Sequence, residues 1–217
     1  ARRVAFASEA KALLALPGIS AEIDPQALNS YLNLGYVAAP LSIFRGVSKL
    51  PPASMLVVEG GRVEERRYWR VSGTTDHGVS ESEWVARVRA RLDESVRMQM
   101  VSDVPIGAFL SGGIDSSTVV GFMAAHSNQP IRTYSIGFKG TAADDYYNEL
   151  PYARRVADLF RTEHHEIVVR PDVVALLPQL IWHMDEPMAD TAFITTYLVS
   201  QFARRDVTVI LSGVGGD

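Results

Sequence analysis

Short, continuously apolar segments alternate with longer segments of helical periodicity in the second half of the chain. The apolar segments are rich in β-branched residues, which is typical of parallel strands covered on both faces. They predict strands at residues 106–110, 132–138, 165–169 and 207–211, separated by helices at residues 117–126, 149–160, 172–183 and 192–204. This order predicts an α/β fold, a parallel sheet with helices on both faces. Such sheets bind ligands beyond the carboxyl ends of their strands, where turns fall at 111–113, 137–138 and 212–213.

The first 70 residues have brief elements and no such alternation. A short strand is predicted at Val4–Ala7, a short helix at 9–16, and a helix from Pro25 to Leu34 with Asp24 as its N-cap. Two strand-like segments, 54–58 and 63–68, flank the turn Glu-Gly-Gly-Arg and predict a hairpin.

A polar, glycine-containing stretch at residues 71–80 reads as a linker, and an amphipathic helix is predicted after it at 81–99. The predicted domains are therefore residues 1–70 and 81–217, joined by the linker 71–80.

Composition narrows the class of protein. The 217 residues are 47% hydrophobic and 21% charged, which is ordinary for one large or two small globular domains. The net charge of −4 disfavours a nucleic-acid partner, and no apolar run approaches the roughly 20 residues that cross a bilayer. With no cysteine, the chain itself has no disulfide and no thiolate chemistry. It opens without Met and stops inside a glycine-rich turn, so we interpret it as a fragment.

The turn after the first predicted strand carries the strongest chemical signal. Residues 111–117 read Ser-Gly-Gly-Ile-Asp-Ser-Ser, between an apolar strand and a helix. Gly112 and Gly113 let backbone N–H groups converge on an anion, and the next helix adds its free N-terminal donors and positive dipole end. Three hydroxyls assist: Ser111, Ser116 and Ser117. The pattern predicts a diphosphate or triphosphate site. No Lys follows the glycines, so it is not a Walker A loop. The alternative is a turn that only caps the helix.

Two carboxylates are candidate metal ligands. Asp115 could hold a divalent cation against a phosphate chain, and Asp217 follows a second glycine turn. Together they could bracket a divalent cation on a phosphate chain; Asp217 alone could equally be a turn residue. The pair His164-His165 is not a candidate, because neighbouring strand residues point to opposite faces.

These motifs resemble a known family. Residues 111–116 resemble the pyrophosphate loop (PP-loop) of the N-type ATP pyrophosphatases, and the flanking sequence resembles glutamine-hydrolysing asparagine synthetases. The supporting segments are Tyr147–Arg154, His164–Glu166, Asp185–Pro187 and Ser212–Asp217. The first region resembles the tail of a class II glutaminase domain, through Phe6–Glu9, Leu50–Pro52 and Arg67–Trp69. The family's nucleophilic Cys would lie upstream, so no glutaminase residue is assigned in this chain.

The resemblance implies the fold and the ligands. It implies an adenine nucleotide alpha hydrolase-like sheet, preceded by the C-terminal part of an α+β, Ntn-type glutaminase domain. The loop would bind the β and γ phosphates of ATP with Mg²⁺. The other implied nucleotide contacts are Phe109, Leu110 and Ile136 at the adenine, and Ser212 and Gly213 near the ribose and α-phosphate.

The implied reaction activates the aspartate β-carboxylate on the α-phosphorus of ATP, and glutamine-derived ammonia then gives asparagine and AMP. Positioning and charge neutralisation dominate such catalysis, which places Asp115 and Asp217 in the catalytic set. A cytoplasmic enzyme is expected, a homodimer is compatible with the resemblance, and the chain alone is expected to be inactive.

One position departs from the family pattern. Val214 stands where the best-known asparagine synthetases carry Glu, in Ser-Gly-Glu-Gly. Amidation of a different carboxylate therefore stays open as one alternative. Nucleotide binding without turnover is a second alternative, because we interpret the chain as a fragment. Glu186 and Asp190 could line the acceptor pocket, although Asp190 could equally cap the following helix.

Overall fold

The computed structural model describes residues 4–139, 148–170 and 172–215. Residues group into two compact units: unit 1 comprises Ala1–Thr75 and Val173–Thr191, and unit 2 comprises Asp76–Asp172 and Ala192–Asp217. In chain order the elements are α1 (Ala10–Leu14), α2 (Pro25–Leu34), β1 (Ser54–Glu59), β2 (Arg62–Arg67), α3 (Glu81–Gln99), β3 (Ile106–Phe109), α4 (Ile114–His126), β4 (Arg132–Phe138), α5 (Leu150–Phe160), β5 (Glu163–Val169), α6 (Val173–Met184), α7 (Ala192–Ala203) and β6 (Val209–Leu211).

Unit 1 has a small core and clear local signals. Helix α2 has the predicted bounds because Asp24 accepts hydrogen bonds from the amides of Gln26 and Ala27, and the helix ends at Gly35 in the left-handed region. The predicted hairpin is the antiparallel pair β1–β2. The predicted strand Val4–Ala7 is wrong: these residues form no strand, because four apolar residues need a neighbouring strand to pair with.

Segment 173–191 also belongs to unit 1, although it follows β5 in the chain. It contains α6 and the Asp185-Glu186-Pro187 motif. The predicted domain boundaries, 1–70, 71–80 and 81–217, stay a prediction.

Unit 2 is built on a four-stranded sheet of order β5-β4-β3-β6. All its neighbouring strands are parallel. Helix α4 connects β3 to β4, and α5 connects β4 to β5. The predicted α/β class is confirmed.

Helices cover both faces of this sheet, and alternate residues of β3 explain why. Ala108 lies in a buried cluster with residues of α3, α4 and α5, whereas Phe109 packs against a second cluster that contains Val199 and Ala203 of α7. Side chains of consecutive strand residues point to opposite faces, so each strand contributes to both cores.

Three element boundaries of unit 2 differ from the prediction by two residues or more. Strand β5 begins at Glu163, which pairs with Arg132 in the ladder and as an ion pair at 3.2 Å. Strand β6 begins at Val209. Helix α4 begins at Ile114 rather than at Ser117, since Gly113 is its N-cap, and this places Asp115 and Ser116 in the first helical turn.

Among the described residues, no helix combines the length and apolar character that crossing a bilayer requires.

Candidate active site

The strand order of unit 2 defines where a ligand binds. From β3 the chain proceeds to β4 and β5 on one side, whereas β6 lies on the other side of β3. The strand order therefore reverses between β3 and β6, and open parallel sheets bind ligands in the crevice at such a point, beyond the carboxyl ends of the strands. The turns that follow these two strands begin at Leu110 and Ser212.

The turn after β3 leaves the start of α4 open. The N-cap Gly113 has no side chain, and the first helical backbone bond runs from Ser117 N–H to Gly113 C=O at 3.0 Å. The N–H groups of Ile114, Asp115 and Ser116 precede that bond and have no partner within the helix. These donors and the positive helix end are the features on which the predicted anion site depends, and the site itself stays a prediction.

Two hydroxyls hold the turn together from the inside. Ser116 Oγ lies 2.9 Å from Ser111 Oγ and accepts the Ser111 N–H at 3.3 Å. Ser111 Oγ accepts the Gly113 N–H, also at 3.3 Å. Ser116 is buried. These two serines brace the turn, which is a role separate from the predicted phosphate contact.

Close backbone approach requires glycine at two positions. Gly112 has φ +86°, and a Cβ there would lie 2.5 Å from the Tyr152 carbonyl carbon of α5. A Cβ on Gly213 would lie 2.5 Å from the Ser116 amide nitrogen. The β6 turn therefore lies directly against the N-terminus of α4, and the α5 backbone supports the β3 turn from behind.

A cavity of about 350 Å³ opens at this point. The predicted residues that line it are Phe109, Leu110, Ser111, Gly113, Asp115, Ser116, Ile136, Ser212 and Gly213. Gly112 faces α5 instead. Ser117 lines a different cavity, between α3, α4 and α5. Asp217 lies outside the described residues.

The edge of β4 gives the cavity a backbone wall. The β3–β4 ladder ends at Phe109–Tyr134, and the Leu110 N–H still reaches the Tyr134 carbonyl at 3.0 Å. The Leu110 carbonyl accepts from the buried Ser135 hydroxyl. Strand β4 continues to Phe138, so its edge around Ile136 extends beyond β3 into the cavity. A free strand edge of this kind can read the donors and acceptors of a planar base.

Several lining residues were not predicted as site residues: Tyr134, Ser135, Glu149, Leu150, Thr195, Thr196, Val199, Val214 and Gly215. Some of these residues could have been recognised from the sequence. Tyr134 shares a strand face with Ile136, and Thr195-Thr196 is a polar pair in an otherwise apolar helical segment. Glu149 lies in the segment Tyr147–Arg154 that supports the family resemblance, but no site role was assigned to it, because the spacing of the sequence does not show that the start of α5 lies beside the β3 turn.

Tyr134 is the most deeply buried aromatic residue of the site. It stacks on His165 with centroids 5.3 Å apart and meets Phe202 edge-on. Burial, assisted by the nearby Asp206 carboxylate, raises the pKa of Tyr134 to about 12. The phenol therefore stays neutral near pH 7 and acts as a wall and a hydrogen-bond donor, not as a base.

A polar network on β4 and β5 anchors α5. Arg154 of α5 forms two hydrogen bonds, at 2.8 and 2.6 Å, to the Glu166 carboxylate. Glu166 also lies 3.2 Å from His164 Nε2, and His164 Nδ1 lies 2.9 Å from the Thr133 hydroxyl. Arg154 holds the pKa of Glu166 below its usual range, and burial lowers the pKa of His164. Since α5 supports Gly112, this network indirectly supports the β3 turn.

The two histidines separate as predicted. His164 pairs with Thr133 in the ladder, whereas His165 pairs with Tyr134 and stacks on its ring. Over the residues that the structure describes, no group of three or more His, Asp or Glu side chains could hold a metal ion. Asp115 is one exposed carboxylate at the cavity, in the first turn of α4.

Fold and site together define a parallel α/β domain with a glycine turn at its switch point. Comparison with known proteins gives the family. The family model for asparagine synthase matches residues 87–217, more than half of the chain, and the model for a glutamine amidotransferase domain matches residues 1–69. The chain belongs to the asparagine synthase family.

Individual relatives are similar along nearly the whole chain. A Methanocaldococcus jannaschii protein, provisionally named glutamine-hydrolysing asparagine synthetase 2, is 38% identical over 98% of this chain and 41% of its own length. Glutamine-hydrolysing asparagine synthetase 1 of Bacillus subtilis is 35% identical over 99% of this chain and 33% of its own length. The chain therefore spans well under half the length of these curated relatives. A solved NMN synthetase from Francisella tularensis is a distant neighbour, with 16% identity, a TM-score of 0.37, and coverage of 61% of this chain and 53% of that one.

Proposed function

We propose that the chain is part of an ATP-dependent, AMP-forming amide ligase that converts aspartate to asparagine with glutamine-derived ammonia. Gly213 carries the proposal: a Cβ at this position would lie 2.5 Å from the Ser116 amide nitrogen. Two turns that meet over an open helix N-terminus form a cradle for phosphate oxygens. Membership of the asparagine synthase family supplies the reaction class.

In the proposed arrangement, the first-turn amides of α4 hold the β and γ phosphates while the edge of β4 at Ile136 contacts the adenine. Ser212 and Gly213 lie near the ribose and α-phosphate. The residues keep the leaving pyrophosphate and the α-phosphorus in line with the attacking carboxylate. This arrangement lowers the barrier mainly by positioning.

Mg²⁺ belongs to this proposal. Asp115 lies at the cavity beside the open helix start, where a carboxylate can bridge a cation to a phosphate oxygen. Asp217 remains the proposed second ligand. When bound, the ion would neutralise charge on the leaving pyrophosphate.

The remaining partners are proposed to be small molecules. A net charge of −4 favours neither nucleic acid nor an anionic membrane surface. A cytoplasmic location and a homodimer complete the proposal.

Exchange of labelled pyrophosphate into ATP tests the function directly. The full-length protein is incubated with ATP, Mg²⁺ and one carboxylic acid at a time. Exchange that requires aspartate is expected. Exchange that requires a different acid would replace aspartate as the substrate, with Val214 at the cavity as the first position to examine. Nucleotide binding without exchange across the panel would contradict ligase activity.

A further inference from the structure

The hydroxyl of Ser135 lies on strand β4, one residue before Ile136. It donates a hydrogen bond to the carbonyl of Leu110, the residue that directly follows β3. Both residues are buried, with Ser135 5% exposed and Leu110 2% exposed. A buried carbonyl without a donor is costly, so this hydroxyl satisfies a group that water reaches poorly.

The Ser135 hydroxyl takes the place of the next backbone hydrogen bond between β3 and β4. In a parallel ladder, a residue whose N–H donates to one residue of the neighbouring strand accepts, at its own carbonyl, from the N–H two residues further along that strand. Leu110 makes the first of these bonds, to the Tyr134 carbonyl at 3.0 Å. The second would come from the Ile136 N–H, but the ladder ends at the pair Phe109–Tyr134 and does not include it.

The backbone of Ile136 is therefore open on its β3 side. Alternate residues of a parallel strand direct their backbone groups to the same neighbour, so the N–H and C=O of Ile136 face the β3 side, as the Tyr134 carbonyl does. Strand β3 has already ended at Phe109, and Ile136 lines the cavity together with Leu110. One donor and one acceptor thus lie side by side at the cavity.

This pair of backbone groups distinguishes adenine from guanine. The edge of adenine that carries N1 and the N6 amino group offers one acceptor and one donor, whereas the same edge of guanine offers an N1–H donor and the O6 acceptor. An N–H aimed at N1 and a carbonyl aimed at the N6 amino group match adenine. Guanine in the same position would oppose donor to donor and acceptor to acceptor, which leaves buried polar groups unpaired.

We propose that Ser135 is a positioning residue that keeps the Ile136 N–H free for the base of the nucleotide. Its hydroxyl satisfies the Leu110 carbonyl, which would otherwise accept the Ile136 N–H and extend the ladder across the base site. Ser135 thus acts through Leu110 and not on the reacting atoms. Ile136 contacts adenine only if the ligand is ATP, so this role of Ser135 rests on the proposed function.

Thr133 provides a matched control on the same strand. It lies two residues before Ser135, so its side chain is on the same face of β4, and it is also buried. Its hydroxyl lies 2.8 Å from Thr162 Oγ1 and 2.9 Å from His164 Nδ1, on the β5 side of the sheet. Thr133→Val therefore removes a buried hydroxyl and leaves the Leu110 carbonyl with its donor.

The test measures the binding of ATP, GTP and inorganic pyrophosphate to the full-length protein by calorimetry with Mg²⁺ present. Wild type is expected to prefer ATP to GTP. Ser135→Ala should bind ATP roughly 2- to 12-fold more weakly, the range that one net hydrogen bond supplies, and its preference for ATP should shrink accordingly. Its pyrophosphate binding should stay unchanged. Thr133→Val should lower the thermal midpoint and keep the wild-type ratio of ATP to GTP affinity.

Hydrogen exchange at the Ile136 amide gives a readout that requires no activity. In ligand-free wild type, this amide should exchange faster than the Leu110 amide, which is bonded to the Tyr134 carbonyl. Addition of ATP should slow it. In ligand-free Ser135→Ala the Ile136 amide should already be slow, because the Leu110 carbonyl then accepts it.

Three results would overturn this role of Ser135. A slowly exchanging Ile136 amide in ligand-free wild type would mean that the strand edge is closed. Equal losses of ATP and pyrophosphate binding in Ser135→Ala would make the hydroxyl a stability residue only, and unchanged ATP binding would make it dispensable. ATP binding without aspartate-dependent exchange in wild type would refute the proposed ligase and leave the role of Ser135 intact, whereas a wild type that bound no nucleotide would refute both.

Discussion

The two units of this protein are stabilised in different ways. Unit 2 has a parallel sheet with a buried cluster on each face, and its polar site residues lie at the carboxyl edge. Unit 1 has one small cluster around Ala27, Val37 and Ile43, and every residue of its strand β2 is exposed. Its long-range order depends on polar ties such as Lys49–Glu186.

This difference separates residues that are expected to act on a ligand from residues that stabilise the fold. In unit 2, the turn with unsatisfied amides lies at the ends of packed strands, and the buried clusters on both faces of the sheet fix the strands and helices that hold it. In unit 1, ion pairs and helix caps provide stability that buried apolar area provides in unit 2. The carboxylates that form them therefore have structural roles. Substitutions in unit 2 at the cavity should therefore affect ligand chemistry, whereas most substitutions in unit 1 should affect only stability.

Asp115→Asn gives the largest expected effect. The amide keeps the size of the side chain but removes the charge that would hold Mg²⁺, so pyrophosphate exchange should fall on the order of 10²- to 10³-fold. The thermal midpoint should hardly change, because Asp115 is exposed. Asp103→Asn, an exposed position before β3 at the opposite edge of the sheet, is the control. If Asp115→Asn exchanged pyrophosphate at the wild-type rate, Asp115 would not be a metal ligand.

Gly213→Ala should give the next largest effect. The added Cβ would lie 2.5 Å from the Ser116 amide nitrogen, and both partners are backbone, so the β6 turn must move off the helix start. Overpacking of this kind costs about 1–3 kcal/mol, which predicts roughly 5- to 150-fold weaker ATP binding by calorimetry if the whole cost falls on the bound state. Gly73→Ala is the control, since nothing lies within 4 Å of a Cβ there. Equal ATP affinity in Gly213→Ala and Gly73→Ala would contradict a role of the β6 turn in nucleotide binding.

Local signals explain what the sequence predicts well. The bounds of α2 follow from Asp24, Pro25 and Gly35, and those of α3 follow from its apolar spacing and the cap at Ser80. The glycine turn at 111–113 is also local, because its chemistry requires residues that are adjacent in the chain. Each of these features is decided within a few residues, where propensity and capping dominate.

Features that depend on distant contacts escaped prediction. Glu186 was a candidate for the acceptor pocket, yet its carboxylate bonds Lys49 and Ile43, more than 130 positions away in sequence. Glu149 lines the cavity only because α5 packs behind Gly112. No periodicity or spacing within either segment encodes these partners, since they depend on how the two chain regions fold together.

Asp24→Ala tests the expectation that substitutions in unit 1 affect stability and leave the cavity unchanged. Its carboxylate accepts two amides at the start of α2, and loss of such a cap costs about 1 kcal/mol. Denaturant unfolding, followed by probes in each unit, should show that destabilisation in unit 1. ATP affinity should be unchanged, because α2 contributes no residue to the cavity. Weaker ATP binding in this variant would contradict the expectation that substitutions in unit 1 affect only stability.

Glu166→Gln gives the smallest effect and a distinctive pH dependence. Arg154 lowers the pKa of Glu166 below its ordinary value of 4.5, so the unfolded chain binds more protons than the folded one as the pH falls below 4.5. The stabilisation is complete above that pH and is lost as the pH falls through the folded-state pKa. Because Arg154 is more than half exposed, solvent screening limits the difference between wild type and variant to roughly 0.5–1 kcal/mol at pH 7.

The pH series separates this ion pair from packing. Urea unfolding at pH 7, 5, 4 and 3 should show the wild-type advantage shrinking towards zero at the acidic end, since the carboxyl then becomes as neutral as the amide. Burial lowers the pKa of His164, and the Glu166 carboxylate opposes this shift. Loss of the carboxylate should therefore lower the pKa of His164 further, so the wild-type advantage should first widen as the pH falls below 6.5 and shrink only when Glu166 itself is protonated. Glu65→Gln, at an exposed position of β2, should show no such trend. If the difference in unfolding free energy between Glu166→Gln and wild type did not change with pH, Glu166 would contribute through packing rather than through its charge.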